Sequence, residues 1–368
     1  MIIRKDDYQI FMKKIIRLFL IISFLLSTCS KRTVFPGKEW KKQSPESQGV
    51  KSKSLDSALN YLKNNCGKDG IDKLAIICNG YLIYEGDSSN KALNIMSSTK
   101  SLTSTVLGLL IDGGKCTLDS KASEFEPLLS EKYKALTLRH FATMTSGYSA
   151  KGRSRWGENS EDWSIYPFDV DTPLFSPGCE FCYWDEAMMM FGRVLTKLAR
   201  QDLKSFLDSK IMQPIGIKDY KWWNEWNVDS LAIYNGCTGI ELSAKQLARF
   251  GYLFLNHGNW NGKQLISEKW VVQATQNQVP DSIPVASTDR KSIDGRGQYG
   301  FNWWLNGKNS NGLYLMPDAP KDLYFTWGHL ENLCFVIPSK KMVVVRLGSD
   351  GCQNPEIVFN QFFNLLFN

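Results

Sequence analysis

Two short apolar runs joined by Asn79-Gly80 limit the folds open to this chain more than any other feature. Leu74 to Cys78 and Tyr81 to Tyr84 have strand character, and an Asn-Gly pair favours the type I′ turn of a hairpin. Strands joined this tightly run antiparallel, which excludes a doubly wound parallel fold. Strand signals return near the C-terminus, at Phe301 to Leu305, Leu333 to Ile337 and Met342 to Leu347. Pro338-Ser339-Lys340-Lys341 joins the last two as a further hairpin connection. Between the two groups the pattern is helical: Thr137 to Met144, Glu186 to Leu198 and Asp202 to Met212. Amphipathic helices are also expected over Ser54 to Asn64 and Pro355 to Phe367, and a polar loop over 277–298. The sum is an α+β fold, with an antiparallel sheet flanked by helices. Its sheet domain is expected at 49–135 and 232–368, with a mainly helical domain, 136–231, inserted between, the whole forming one catalytic unit.

The N-terminal stretch reads as a targeting segment. Lys13, Lys14 and Arg17 precede the apolar run Leu18 to Leu26, and Leu26-Ser27-Thr28-Cys29 follows. The run is far short of the roughly 20 residues that span a bilayer, so residues 1–29 read as a signal peptide. Its last four residues resemble a bacterial lipobox, which makes Cys29 the expected lipid-bearing first residue of the mature chain. A short membrane anchor without lipid is the alternative. Asp6 and Asp7 are out of place in a basic leader, so Met12 is a more natural start than Met1. Residues 30–48 are polar, contain Pro36 and Pro45, and read as a tether. The expected location is the cell envelope, lipid-anchored on a periplasmic or outer-membrane face; Ser30 lacks the Asp that favours inner-membrane retention. The net charge of +7 includes this basic leader, and no basic cluster is interleaved with aromatics, which argues against a nucleic-acid partner. Eight cysteines follow Cys29 at scattered spacing, most of them expected as buried thiols. Cys179 and Cys182 form one C-x-x-C with no second pair to complete a zinc site, so neither metal nor other cofactor is expected.

Chemistry is concentrated at Ser97-Ser98-Thr99-Lys100, an S-x-x-K motif followed at once by the apolar helical run Leu102 to Ile111. Residues three apart share a helix face, so a hydroxyl nucleophile sits beside an amine able to take its proton. The N–H groups at a helix start favour a developing oxyanion. A second S-x-x-K, Ser88 to Lys91, lies in a polar turn and reads as chance. The chain has no G-x-S-x-G elbow, no H-E-x-x-H, no S-D-N and no K-T-G, against an α/β-hydrolase, a zinc peptidase and a class A β-lactamase.

Taken in order, the motifs resemble the serine β-lactamase-related family: class C β-lactamases, DD-peptidases, family VIII esterases and 6-aminohexanoate-dimer hydrolases. The resemblance runs from about Ser44 to Phe367. It is carried by Ser97 to Ser101, by Leu136 to Gly147 with its Met144-Thr145-Ser146-Gly147, by Ser176-Pro177-Gly178 with Phe181 and Tyr183, and by Leu242 to Gly251. The resemblance implies a β-lactamase/transpeptidase-like fold with Ser97 as the acylated nucleophile. Lys100 would share or accept its proton, and Tyr183 would relay protons to the leaving group. Burial of the lysine and a cation beside the phenol are expected to make both better bases near neutral pH.

Two departures stand out. The family's Tyr-x-Asn is Tyr183-Trp184-Asp185, and an ionised Asp185 donates no hydrogen bond to an amide carbonyl. It suits a cationic or hydroxylated group, or it braces Lys100. The third motif is Trp327-Gly328-His329-Leu330-Glu331-Asn332, in which either Thr326-Trp327-Gly328 or His329-Leu330-Glu331 overlays K-T-G. Trp327, Gly328, His329 and Leu330 are therefore candidate substrate-binding or oxyanion residues, and Glu331 is an unusual neighbour. Trp184, Trp222, Trp223, Trp226, Trp303 and Trp304 are expected mostly in the core, with those near Tyr183 and Trp327 lining an apolar cleft. The expected activity is acyl-enzyme hydrolysis of a small-molecule ester or non-lactam amide. The alternatives are a β-lactamase or D-alanyl-D-alanine carboxypeptidase, an acyltransferase to an alcohol or amine, and a non-catalytic binding lipoprotein. Oligomeric state stays open.

Overall fold

The computed structural model describes residues 33–152, 163–286 and 294–368. Met1–Val34 is a unit of its own, of which only Thr33 and Val34 are described, so the expected signal peptide, both candidate start residues and Cys29 lie outside the described residues. Phe35–Asn368 is the second unit and holds the fold.

Six strands form its sheet: β1 (Lys73–Cys78), β2 (Tyr81–Glu85), β3 (Trp304–Leu305), β4 (Tyr324–Gly328), β5 (Asn332–Ile337) and β6 (Met342–Leu347). They lie in the order β3-β4-β5-β6-β1-β2, each pair antiparallel. Asn79 and Gly80 both have positive φ, 51° and 83°, as a type I′ turn requires. β1 pairs with β6 over its whole length, from Lys73↔Leu347 to Cys78↔Met342, so the two groups of strands read from sequence meet in one sheet.

Five helices matter for the site: α1 (Ser52–Asn65), α2 (Thr99–Asp112), α3 (Asp185–Ala199), α4 (Ala244–Leu255) and α5 (Pro355–Phe367). β5 and β6 are buried on both faces, which is why residues 333–337 and 342–345 are continuous apolar runs and not alternating ones. α4 covers one face, where a Cβ on Gly251 would press on Cys334, Val343 and Val336. α5 covers the other, with Phe359 and Phe363 each 5.0 Å from Phe335 between ring centroids, and α1 packs on α5. Among the described residues no helix is long and apolar enough to cross a membrane.

Several expectations need correction. Residues 35–48 do not behave as a tether. Trp40 is buried and its Nε1 donates to Lys245 O at 3.1 Å, while Arg249 Nη2 donates to the carbonyls of Gly37 and Lys38 at 2.8 Å each. The backbone around Lys42 pairs with Leu82 and covers the β2 edge of the sheet. The prolines suggested a linker, but Phe35 and Trp40 bury too much apolar surface to stay in water. β4 has no counterpart in the sequence reading. The run from Phe301 shrinks to two strand residues, Trp304–Leu305. Asn224–Val228 and Leu231–Tyr234 form a hairpin that straddles the end of the segment expected to be mainly helical, turned by Asp229 and Ser230 at φ 48° and 65°. The boundary expected at 231 falls at the start of its second strand.

Candidate active site

The site is built on α2, which is buried from Thr99 through Gly108. A helix buried all round is normally apolar, yet this one carries five hydroxyl residues there, so each must find a partner. Ser101 Oγ donates to Asn302 O at 2.6 Å, Ser104 Oγ to Phe301 O at 2.7 Å and Thr103 Oγ1 to Gly236 O at 2.9 Å. These bonds pin the 301–302 and 235–237 loops to the helix. One turn earlier, Ser98 Oγ donates to Asn332 O at 2.6 Å and joins the helix start to β5.

Ser97 occupies the 3₁₀ turn Met96–Ser98 that runs directly into α2. The chain enters this turn through Met96 at φ 50°, a left-handed conformation that costs a non-glycine residue on the order of 1 kcal/mol. Asn94 holds it there: its Oδ1 accepts from Met96 N at 2.9 Å and from Gly239 N at 3.2 Å. Ser97 stays half-buried, whereas Lys100, one turn on, is 1% exposed.

All three protons of the Lys100 ammonium have acceptors. Nζ donates to Ser97 Oγ at 2.7 Å and to Cys237 O at 3.3 Å, and pairs with Asp185 Oδ1 at 2.6 Å. It also lies 4.7 Å from the centroid of the Tyr183 ring. Burial is the largest influence and lowers its pKa, but the negative charge of Asp185, with Tyr183 and Cys237 adding to it, holds Lys100 above the ordinary lysine range. The expectation that burial makes Lys100 a base near neutral pH is therefore overturned. Burial pushes the Tyr183 phenol up, more than the Lys100 charge pulls it down. Asp185, the first residue of α3, has its second oxygen occupied as well: Trp163 Nε1 donates to Oδ2 at 2.8 Å. Of the uses open to Asp185, bracing Lys100 is the one found.

β4 forms the opposite wall. A Cβ on Gly328 would stand 2.1 Å from Ile95 O and 3.1 Å from Met96 Cβ, so only glycine lets the strand lie against the serine turn. This puts Thr326-Trp327-Gly328, not His329-Leu330-Glu331, in the strand beside Ser97. His329 is exposed in the following turn, and Leu330 and Glu331 complete that turn at φ 63° and 54°. Glu331 points elsewhere: its Oε2 accepts from Cys352 N at 2.8 Å. A row of rings runs from the site, with Tyr183 5.8 Å from Trp304 and Trp304 5.5 Å from Trp327. Trp304 is buried, while Tyr183 and Trp327 are partly exposed. Trp303 is core, stacked on Phe250 at 5.8 Å, and Trp184 and Trp222 are buried too.

The structure thus gathers Ser97, Lys100, Tyr183, Asp185, Trp327 and Gly328, with His329 and Leu330 at the margin. Sequence reasoning missed Asn94, Trp163 and Cys237. Trp163 and Cys237 reach the site from distant loops, one by an indole and the other by a backbone carbonyl, and neither leaves a motif. Among the described residues no group of three or more His, Cys, Asp or Glu is placed to hold a metal ion.

A family model described as Beta-lactamase matches residues 88–351, well over half of the chain. A β-lactamase of Pseudomonas fluorescens is 24% identical over 176 residues, 45% of this chain and 49% of the relative, so the chain spans about half the length of that curated protein. A proposed 6-aminohexanoate-dimer hydrolase of Bacillus anthracis has a similar structure, with TM-score 0.64 at 17% identity, over 84% of this chain and 80% of that one. EstCE1, a hydrolase with promiscuous acyltransferase activity, is similar with TM-score 0.61 at 16% identity, over 86% and 99% of the two chains.

Proposed function

The chain belongs to the beta-lactamase family, a family of serine hydrolases, and on that premise we propose that Ser97 attacks the carbonyl of a small-molecule ester or non-lactam amide and carries its acyl group. The observation that carries this reading is the 2.7 Å bond from Lys100 Nζ to Ser97 Oγ, with Tyr183 beside both. Lys100, kept as an ammonium, favours negative charge on Oγ as the proton leaves. The proton goes to the Tyr183–Lys100 pair once that pair has itself lost one, so the two titrate as a unit. Tyr183 then delivers it to the departing alcohol or amine, and water activated in the same way releases the acid. The Ser97 N–H, in the turn that leads into α2, and a backbone N–H of the 328–330 segment supply the oxyanion donors.

Both Asp185 oxygens are engaged, by Lys100 and Trp163, and neither offers an amide donor to a lactam side chain. That supports an ester ahead of a β-lactam or a D-alanyl-D-alanine peptide. The test is stopped-flow turnover of a chromogenic ester: a burst equal to the enzyme concentration is expected, and none in Ser97→Ala. A folded wild type without a burst, or a Ser97→Ala variant that retains one, contradicts the reading.

The aromatic row favours a second reading, acyl transfer, because an apolar acceptor competes well with water against Tyr183 and Trp327. With an added alcohol, a new ester product is expected; free acid as the sole product at every alcohol concentration rejects it. We also propose attachment to the cell envelope through Cys29. Fatty-acid labelling of the expressed chain, lost in Cys29→Ala, is the expected result, and labelling that persists contradicts it.

A further inference from the structure

We propose that Cys66 and Cys352 form a disulfide that fastens the turn of the third motif to the start of the sheet domain. The two sulfurs lie 3.3 Å apart although 286 residues separate them in sequence. Closing that gap to a bonded 2.03–2.05 Å needs a movement of little more than 1 Å. Cys66 ends α1 and is fully buried; Cys352 lies in the segment between β6 and α5 and is partly exposed.

The surroundings explain what the bond would hold. Cys352 N donates to Glu331 Oε2 at 2.8 Å, and Glu331 belongs to the turn that follows Gly328. Arg346, wholly buried, donates from Nη1 to Leu330 O in the same turn. Its Nη2 donates to Cys66 O at 3.0 Å and to Asp350 O at 2.9 Å. Cys66, Cys352, Glu331 and Arg346 are therefore one cluster behind the wall of the Ser97 site. While both are thiols, the bond from Cys352 outweighs burial and, with the Arg346 charge, lowers the Cys66 thiol.

The oxidation needs a disulfide oxidant such as oxidised glutathione. The accessible Cys352 sulfur first forms a mixed disulfide, releasing one glutathione thiol. The Cys66 thiolate then attacks the Cys352 sulfur and expels the second. Two protein thiols have lost two electrons and two protons, and one oxidant molecule has become two thiols. An oxidising cell envelope would supply this chemistry, whereas a reducing cytosol would oppose it.

The test uses the full chain, equilibrated in a buffer of oxidised and reduced glutathione, blocked with iodoacetamide and digested without reductant. A peptide pair joined through Cys66 and Cys352, two hydrogen masses lighter than the separate peptides, is expected. Reductant should lower the melting temperature by on the order of 5 °C. Cys352→Ser, which keeps the backbone N–H to Glu331, should abolish both the pair and that shift. Recovery of both cysteines as separate alkylated peptides overturns the proposal, as does a link from Cys66 to another cysteine. Because the readout is a mass and not turnover, the result is independent of the acyl-enzyme reading.

Discussion

Lys100 is caught between burial, which expels charge, and its neighbours Asp185, Tyr183 and Cys237, which together retain it and prevail. A lysine that stays protonated cannot itself take the Ser97 proton, so turnover has to wait for the Tyr183–Lys100 pair to ionise. The expected kcat/KM therefore rises with pH along an alkaline limb. Replacing Asp185 by Asn removes the charge that raises Lys100 and leaves burial, which lowers it. The limb should then move to lower pH by about 1–3 units, with Asn Oδ1 still able to accept from Trp163. A pH–rate profile for Asp185→Asn that superimposes on the wild type would contradict this role. The same variant offers an amide where the carboxylate stood, so hydrolysis of a chromogenic cephalosporin should increase over wild type; no increase would remove Asp185 as the reason for disfavouring lactams. Ser97 and Lys100 were legible in the sequence because their relation is local, three residues on one helix. Trp163 was not, because it meets Asp185 only through the folding of a loop 22 residues away.

At the scale of elements, the serine turn and β4 are fitted to each other backbone to backbone. Gly328→Ala places a methyl 2.1 Å from Ile95 O, which no side-chain rotation relieves. β4 must retreat, and a displacement near 1 Å at an active site costs about 100-fold in rate. Steady-state kcat/KM for the variant, with circular dichroism to establish folding, checks this; wild-type activity would show that β4 does not set the geometry. The hairpin at Asn79-Gly80 could be read in advance because its turn chemistry is explicit. β4 could not: Tyr324-Phe325-Thr326-Trp327-Gly328 is short, and its partner begins only after a turn of Leu330 and Glu331, residues that rarely take positive φ. The third motif's register was open in the sequence for the same reason.

For the whole molecule, the pairing of β1 with β6 closes the chain's distant parts into one sheet, and the segment from Phe35 completes that closure. Trp40 is its anchor, buried with an indole bond to Lys245 O and flanked by the Arg249 guanidinium at 5.8 Å. Trp40→Ala should destabilise the fold by about 3 kcal/mol, read as a lower urea midpoint with an unchanged slope, while the burst amplitude at Ser97 persists in the folded protein. A midpoint equal to wild type would mean the segment is a tether after all. The overall class was legible from strand runs at both ends of the chain, whereas this packing was hidden behind two prolines that suggested a linker.

The central claim is covalent chemistry at Ser97. The most direct measurement is acid-quenched peptide mapping of the enzyme caught during turnover of an activated ester. The account predicts one acyl group per chain, on the peptide containing Ser97, absent from Ser97→Ala and slow to form in Tyr183→Phe. An acyl group on any other residue, or a folded enzyme that turns over ester with no acylated peptide, would contradict it.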